Sequence, residues 1–455
     1  MDTSLWGYFF MAGLEDMVKR YVITTAQYNA PVHDAFLTSL DTYAKKNDAE
    51  LIVLPTSGMY AEDDRLSPKL QHYKVVTGNL SLNRNLRISD YNIKPQQINP
   101  LTGIKRFAQG DKSFIFASPK QVVEYVANSY DAIPKAIMTT GAVTKPYYKE
   151  HTRVGVIAAQ DHEYGAVVVE VADHNMFHFR HIKTNGSGAF YDINGHYDGK
   201  KFSPKVKVAG FTVADIHPYD TDPKHESNTF DQLKHFAPPA VFLHDTFNGK
   251  SISHHYDHHL VRQHQVEVEQ GLNLGKELKH TAEAVRKYAE AINGTVYIVA
   301  SNHDEHLFRY LDEGRFIGDK GNQLVGAQLY VRTLMGENPL QAGLSMFGGV
   351  PKNVKFIARD EGMKLRGYEL GNHGDLGANG AKPSMRSIEE ANGKSITAHT
   401  HSAAKLRDTY RVGTSTKLRL DYNRGYSNWT QTNAVLYDDG AVQLLNTING
   451  AWRLK

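Results

Sequence analysis

The chain has 455 residues, 41% of them hydrophobic and 22% charged, which suits an ordinary soluble globular protein with room for two domains. A formal charge of +3 is too weak to argue for nucleic acid by itself, so any such surface must be local. Cysteine is absent, which excludes disulfides and thiolate metal ligands and fits a cytoplasmic protein, and no apolar run approaches the length of a membrane span.

In chain order, the start, Leu5 to Ala12, is apolar but short, has no basic flank and is soon followed by Glu15 and Asp16. It reads as a packing or interface segment, not a signal peptide. Residues 20–205 read as an α/β domain. Apolar, β-branched runs recur at Tyr21–Thr25, Leu51–Leu54, Phe114–Ala117, Ala136–Thr139, Val154–Ala158 and Ala166–Val171, with helical stretches at Val32–Lys46 and Lys120–Asn128. Tyr60 to Gly110 has weak periodicity and looks loop-rich. Asn194-Gly195 and Asp198-Gly199 mark turns before a Lys-rich stretch, and the domain boundary is placed there, at 205/206.

The second domain, 206–455, opens with a strand at Val206–Val213 that delivers Asp215 and His217. A strand at Ala240–Leu243 delivers Asp245. A helical region runs from about His255 to Ile292 and stops at Asn293-Gly294. Strand Thr295–Ala300 presents Asn302 and His303, strand Val354–Ala358 precedes the loop with His373, and Ser395–Ala398 ends at His399 and His401. Open α/β sheets place their sites after strand ends in this way.

The motifs are Asp215-Ile216-His217, His244-Asp245, Ser301-Asn302-His303-Asp304, Gly371-Asn372-His373-Gly374-Asp375 and Ala398-His399-Thr400-His401. A carboxylate can bridge two cations, Asn302 offers a neutral carbonyl oxygen, and imidazoles supply nitrogen. Such an oxygen- and nitrogen-rich set from several loops suits two divalent metals and hydrolysis at phosphorus. In this order the motifs resemble the calcineurin-like metallophosphoesterase superfamily over roughly residues 207–450. The resemblance implies a metallophosphoesterase β-sandwich flanked by helices, preceded here by an additional N-terminal α/β domain. It also implies that Asp215, His217 and His401 hold one metal, that Asn302, His373 and His399 hold the other, and that Asp245 bridges them. His303 would be the catalytic histidine, oriented by Asp304 or raised in pKa by it. Where the superfamily usually has glycine before the bridging Asp, before Asn-His and before His-x-His, this chain has His244, Ser301 and Ala398.

Within the superfamily, Tyr21–Gln27, His244-Asp245 followed by Ser253-His254-His255, and Ser301–Asp304 resemble the pre-early host-DNA-degrading nucleases of tequintaviruses, the T-five-type phages. That resemblance implies a manganese-dependent DNase, with Mg²⁺, Fe²⁺ or Zn²⁺ as alternatives, working on DNA in the host cytoplasm as a homo-oligomer and away from membranes. The N-terminal domain would position DNA or make subunit contacts. The alternative is a phosphodiesterase or phosphatase for a small nucleotide or phosphoprotein, because the metal core would be the same. A third reading is a non-catalytic binding protein with a decayed site, against which the complete ligand set argues. His254, His255 and Arg309 are candidate substrate contacts, and Arg359, Lys364, Lys405 and Arg407 candidate backbone-phosphate contacts. The histidines also read as a solvated helical face and Arg309 equally as an ordinary salt bridge, while each of the other four alone is more often a solvated surface charge. Glu62-Asp63-Asp64 and Asp161-His162-Glu163 read as acidic loops.

Overall fold

The structure is a computed structural model and describes residues 18–57, 65–110, 112–129, 133–253, 259, 261, 264–266, 271–420 and 423–454. The apolar N-terminal segment, Glu62–Asp64, and His254 and His255 lie outside the described residues. The architecture is mixed α/β, with several sheets and, among the described residues, eight α-helices. It divides into two compact units, one formed by residues 1–122, 136–203 and 453–455, the other by 123–135 and 204–452.

The first unit is built on a five-stranded sheet in the order Phe177–Lys183, Gly165–Val171, Lys19–Gln27, Ala49–Thr56, Lys74–Val75. Lys19–Gln27 runs parallel to Ala49–Thr56 and antiparallel to Gly165–Val171. The helix Asp34–Asn47 buries Phe36, Leu40 and Tyr43 in a core shared with Val22, Val53, Val168, Phe190 and Tyr197. Two expectations for residues 20–205 are corrected. Val154–Ala158 lies in a helix, Arg153–Gln160, not a strand: the Thr152 hydroxyl accepts from the Gly155 amide at its N-terminus, while Val154 and Val156 stay exposed. Conversely, Lys120–Asn128 holds a strand, Val122–Val126, because its β-branched and aromatic residues suit a pleated, half-buried surface better than a helix.

The second unit has a six-stranded sheet in the order Val354–Ile357, Thr295–Val299, Ala240–Leu243, Val208–Thr212, Thr432–Tyr437, Val442–Asn446. The first four strands are parallel and the last two antiparallel, so the C-terminal ends of the parallel strands share one edge. Helix Pro223–Phe236 packs on this sheet, with the Asn433 amide donating to Thr229 and Gln232. Of the expected long helical region, the described residues hold the helix Leu274–Ala291, and residues 271–273 before it are not helical. A second set of strands, Tyr368–Glu369, Ser395–Thr397, Thr409–Arg411 and Ala404–Leu406, brings in the histidines of the last motif. No helix among the described residues is long and apolar enough to cross a membrane.

Candidate metal centre

The parallel strands deliver their motifs to a single place. His217 follows strand Val208–Thr212, Asp245 follows Ala240–Leu243, and Asn302 opens the helix Asn302–Asp312 after Thr295–Val299. Ser301 caps that helix: its hydroxyl accepts from the His303 and Asp304 amides, while the Asp304 carboxylate accepts from the Ser301 amide at 2.9 Å. Ser301 is therefore a helix start.

Two clusters meet at Asp245. Its Oδ2 lies 3.3 Å from His217 Nε2, and that nitrogen is 3.0 Å from His401 Nε2. His401 Nε2 is in turn 3.5 Å from Asp215 Oδ2. On the other side, Asp245 Oδ1 lies 3.5 Å from His373 Nε2. Asn302 Oδ1 stands 3.1 Å from His373 Nε2 and 3.2 Å from His399 Nδ1. All seven expected ligands thus converge, and each oxygen of Asp245 faces a different group. His217, Asp245 and His401, and separately Asp215, Asp245 and His373, are close enough to hold a metal ion.

The electrostatics carry the same message. Asp215 and Asp245 are buried, and both Asp215 oxygens and Asp245 Oδ1 accept no hydrogen bond. A buried carboxylate without partners is costly unless a cation joins it. Burial, and then the charge of Asp245, push the Asp215 carboxyl well above its ordinary range. Burial alone would raise Asp245 too, but His373, His303 and His217 hold it well below. Burial lowers His373 to about 4, so its imidazole presents a lone pair rather than a proton. The residues therefore fit a pair of divalent cations on chemical grounds. Their O/N donor set, without thiolate, favours hard or borderline metals.

The backbone records the demand placed on these loops. His217, Asp245, His399 and His401 all have left-handed φ, at 45°, 48°, 75° and 58°. Non-glycine residues rarely adopt this region, at a cost on the order of 1–3 kcal/mol each, and such residues cluster at functional sites. Strain at four expected ligands is paired with aim: each side chain turns into the shared centre.

Sequence reasoning missed Asn248. Its amide nitrogen donates to Asp220 at 3.0 Å, which turns its Oδ1 to His217 Nδ1 at 3.0 Å. An N–H on Nδ1 leaves Nε2 as the lone-pair nitrogen facing Asp245. The Asn248 backbone carbonyl accepts from His303 Nδ1 at 2.8 Å. This carbonyl, rather than Asp304, orients His303; the Asp304 carboxylate is committed to the helix start, and burial raises it to about 7. Desolvation holds the His303 imidazole below its ordinary range. His244 is fully buried and stacked beside His373, their Nδ1 atoms 3.3 Å apart.

A cavity of about 590 Å³ opens onto the centre, lined by Asp245, Asn302, His303, His399 and His401 and also by Lys250, His259, His306 and Trp429. Arg309 sits exposed on the helix Asn302–Asp312, outside that lining. Arg359 is held by Asp375 at 2.5 Å, Arg407 pairs with Glu389, and Lys405 is buried. Lys364 is exposed at a strand start. In the first unit, Asp161 pairs with Lys120 and Glu163 with Lys183, so that acidic loop is matched within the chain.

No family model matches the chain. Protein A1 of Escherichia phage T5 is 28% identical over 473 residues, covering 95% of this chain and 82% of that protein. The chain is thus similar to a phage T5 protein along nearly its whole length, both units included.

Proposed function

We propose that the protein is a phosphodiesterase of the calcineurin-like metallophosphoesterase kind, dependent on two divalent metals and acting on DNA in the setting of a phage-infected cytoplasm. The observation that carries this reading is the placement of Asp245, whose two oxygens each face a separate group of nitrogen and oxygen donors. Asp215, His217 and His401 would hold one cation and Asn302, His373 and His399 the other. When bound, two such ions supply polarisation of the phosphoryl group and an activated nucleophile. His303 keeps its Nδ1 proton on the Asn248 carbonyl, so Nε2 is the atom left to give or take a proton at the leaving oxygen. Manganese is the favoured metal, with Mg²⁺, Fe²⁺ and Zn²⁺ as alternatives. DNA as substrate and a homo-oligomeric state rest on the resemblance to tequintavirus nucleases, and the similarity to Protein A1 supports the phage setting.

A second reading, hydrolysis of a small nucleotide, is favoured by one observation: two cations near the centre are already matched. Lys250 lies 2.6 Å from Asp220 and Arg359 2.5 Å from Asp375. One set of assays separates the two. Purified protein should bind about two divalent ions and cut DNA in Mn²⁺ but not in EDTA, with activity falling steeply as salt rises. Asp245→Ala should lose on the order of 10³-fold in rate and weaken both metals. Near-normal metal content and turnover in that variant would refute the metal assignment. Robust turnover of a cyclic nucleotide with no cutting of any DNA form would select the second reading.

A further inference from the structure

We propose that His244 is a positioning residue for the metal centre: its Nδ1 accepts the proton on Nδ1 of His373 and so holds His373 in the tautomer that turns an Nε2 lone pair toward Asp245 and Asn302. The inference rests on the metal assignment above, and not on a phosphoester or DNA substrate.

His244 follows strand Ala240–Leu243, and its carbonyl accepts from the Ile216 amide at 3.0 Å. The His373 carbonyl accepts from the Ala398 amide at 2.7 Å. Both backbones are thus tied to neighbouring loops, and both side chains are buried. The ring centroids are 5.4 Å apart with the planes at 30°, and the two Nδ1 atoms make a hydrogen-bond contact at 3.3 Å. The other oxygen near that nitrogen, Asp215 Oδ1, stands 3.9 Å away, beyond hydrogen-bond range. On the other side of the His373 ring, Nε2 lies 3.1 Å from Asn302 Oδ1 and 3.5 Å from Asp245 Oδ1. His244 itself belongs to neither of the two sets close enough to hold an ion.

A neutral imidazole carries one N–H and one lone pair. Burial, and then the neighbouring His373, keep His244 neutral by lowering it to about 3. The pair therefore has two arrangements. If His244 donates, His373 keeps its proton on Nε2 and points it at Asn302, which closes that nitrogen to a cation. If His244 accepts, His373 holds its proton on Nδ1 and Nε2 is the free lone pair. A cation held by Asp245, Asn302 and His373 needs the second arrangement. Only a partner with a lone pair at this place allows it without an unmatched buried N–H, so the penalty of losing that partner falls on the metal-bound form and not on the metal-free fold. The remaining nitrogen of His244 points the same way. Its Nε2 is buried and makes no hydrogen bond. A histidine serving only the fold would be expected to satisfy both nitrogens; this one is satisfied toward His373.

The test strips the full chain with EDTA and titrates it with Mn²⁺ by calorimetry, the wild type beside His244→Leu, His244→Phe and His244→Asn. Leu and Phe fill the space without a lone pair, whereas Asn offers its Oδ1 as an acceptor near the place of Nδ1. The wild type should bind about two ions. Leu and Phe should weaken one of them by about 10- to 100-fold, the usual effect of removing the partner of a metal-bound histidine, while thermal unfolding in EDTA stays close to wild type. Asn should restore most of the affinity. At equal Mn²⁺ loading, electron paramagnetic resonance should show a coupled ion pair in the wild type and the Asn variant and isolated ions in the Leu and Phe variants. Wild-type affinity at both positions in Leu and Phe overturns the proposal. So does equal weakening in all three variants, or failure of both Leu and Phe to fold in EDTA, since each makes His244 a packing residue. A wild type that binds two ions but hydrolyses no phosphodiester, with the variants as expected, keeps His244 in this role and removes the phosphoesterase reading. One that hydrolyses phosphodiesters while the Leu variant binds both ions normally does the reverse, and one that binds no Mn²⁺ removes both.

Discussion

Both units bury charge, and they treat it in opposite ways. In the first, Arg180 is buried between Asp192, Glu170 and Tyr43. Its Nε and Nη2 reach the two Asp192 oxygens at 2.6 and 2.7 Å, Nη1 reaches Glu170 at 2.9 Å, and the Tyr43 hydroxyl donates to Asp192 at 2.9 Å. Every charge there meets an opposite one with good geometry. In the second unit Asp215 and Asp245 are as deeply buried, yet three of their oxygens accept no hydrogen bond. The contrast separates structural from functional burial of charge. A network closed within the chain holds a fold in one arrangement; a network short of positive charge is built for something that arrives from outside.

The largest expected effect tests the closed network. Asp192→Asn keeps the shape but leaves the Arg180 guanidinium undercompensated in the core. It should cost about 3–5 kcal/mol of unfolding free energy while leaving bound metal unchanged. Denaturant unfolding and metal analysis of the same preparation give both numbers. A cost below about 1 kcal/mol would mean that the Arg180 network is not what fixes this core.

A neutral buried group sharpens the contrast from a third direction. His225 is fully buried, with Nδ1 3.0 Å from the Thr447 hydroxyl. Burial lowers it to about 4 from an ordinary value of 6.5. Between these values the unfolded chain binds a proton that the folded chain refuses. The stability is therefore fully present above pH 6.5 and is lost as pH falls to about 4, on the order of 3 kcal/mol in all. His225→Gln should flatten the stability profile across that window and nowhere else. An unchanged slope between pH 6.5 and 4 would rule out His225 as its source.

Within the open network, the phosphoesterase proposal gives His303 to the reaction and its neighbours to the metals. His303→Ala should retain both ions and lose on the order of 10²-fold in rate. Loss of metal with normal turnover per bound ion would make it a ligand instead.

The sequence made the convergent residues readable because each motif follows a strand and pairs a carboxylate, amide or imidazole with a fixed neighbour. Asp215, His217, Asp245, Asn302, His373, His399 and His401 needed only their order. What stayed hidden was non-local or conformational. Asn248 touches His217 and His303 through one side-chain and one main-chain oxygen, and no spacing rule foretells that. Left-handed φ at Asp245 or His401 is set by the loops around them and leaves no glycine in the sequence to announce it. Trp429 reaches the site by packing on His401 from a segment without a motif. The exchanged helix and strand within residues 120–160 have a plainer cause. Val154–Ala158 and Lys120–Asn128 are short apolar runs whose pattern fits either period, and tertiary packing decided between them.

The smallest effect is the most discriminating, because its sign should reverse with metal. Burial and the neighbouring Asp245 charge raise the Asp215 carboxyl, so the ionised form is a burden on the metal-free fold. Asp215→Asn removes the charge and keeps the shape. In EDTA at neutral pH it should be more stable than the wild type by about 1 kcal/mol or more. The raised folded pKa fixes the pH trend: below the ordinary carboxylate range both states are protonated and the advantage vanishes, and it grows as pH rises above that range. Added Mn²⁺ should invert the order. The wild type gains about 2.7 kcal/mol at a free metal concentration of 100 times its dissociation constant, whereas the variant, short of one ligand, gains less. Thermal unfolding in EDTA and in Mn²⁺ reads both signs. A variant less stable than the wild type in EDTA would show that Asp215 is compensated within the chain, as Asp192 is, and the contrast between the two networks would fail.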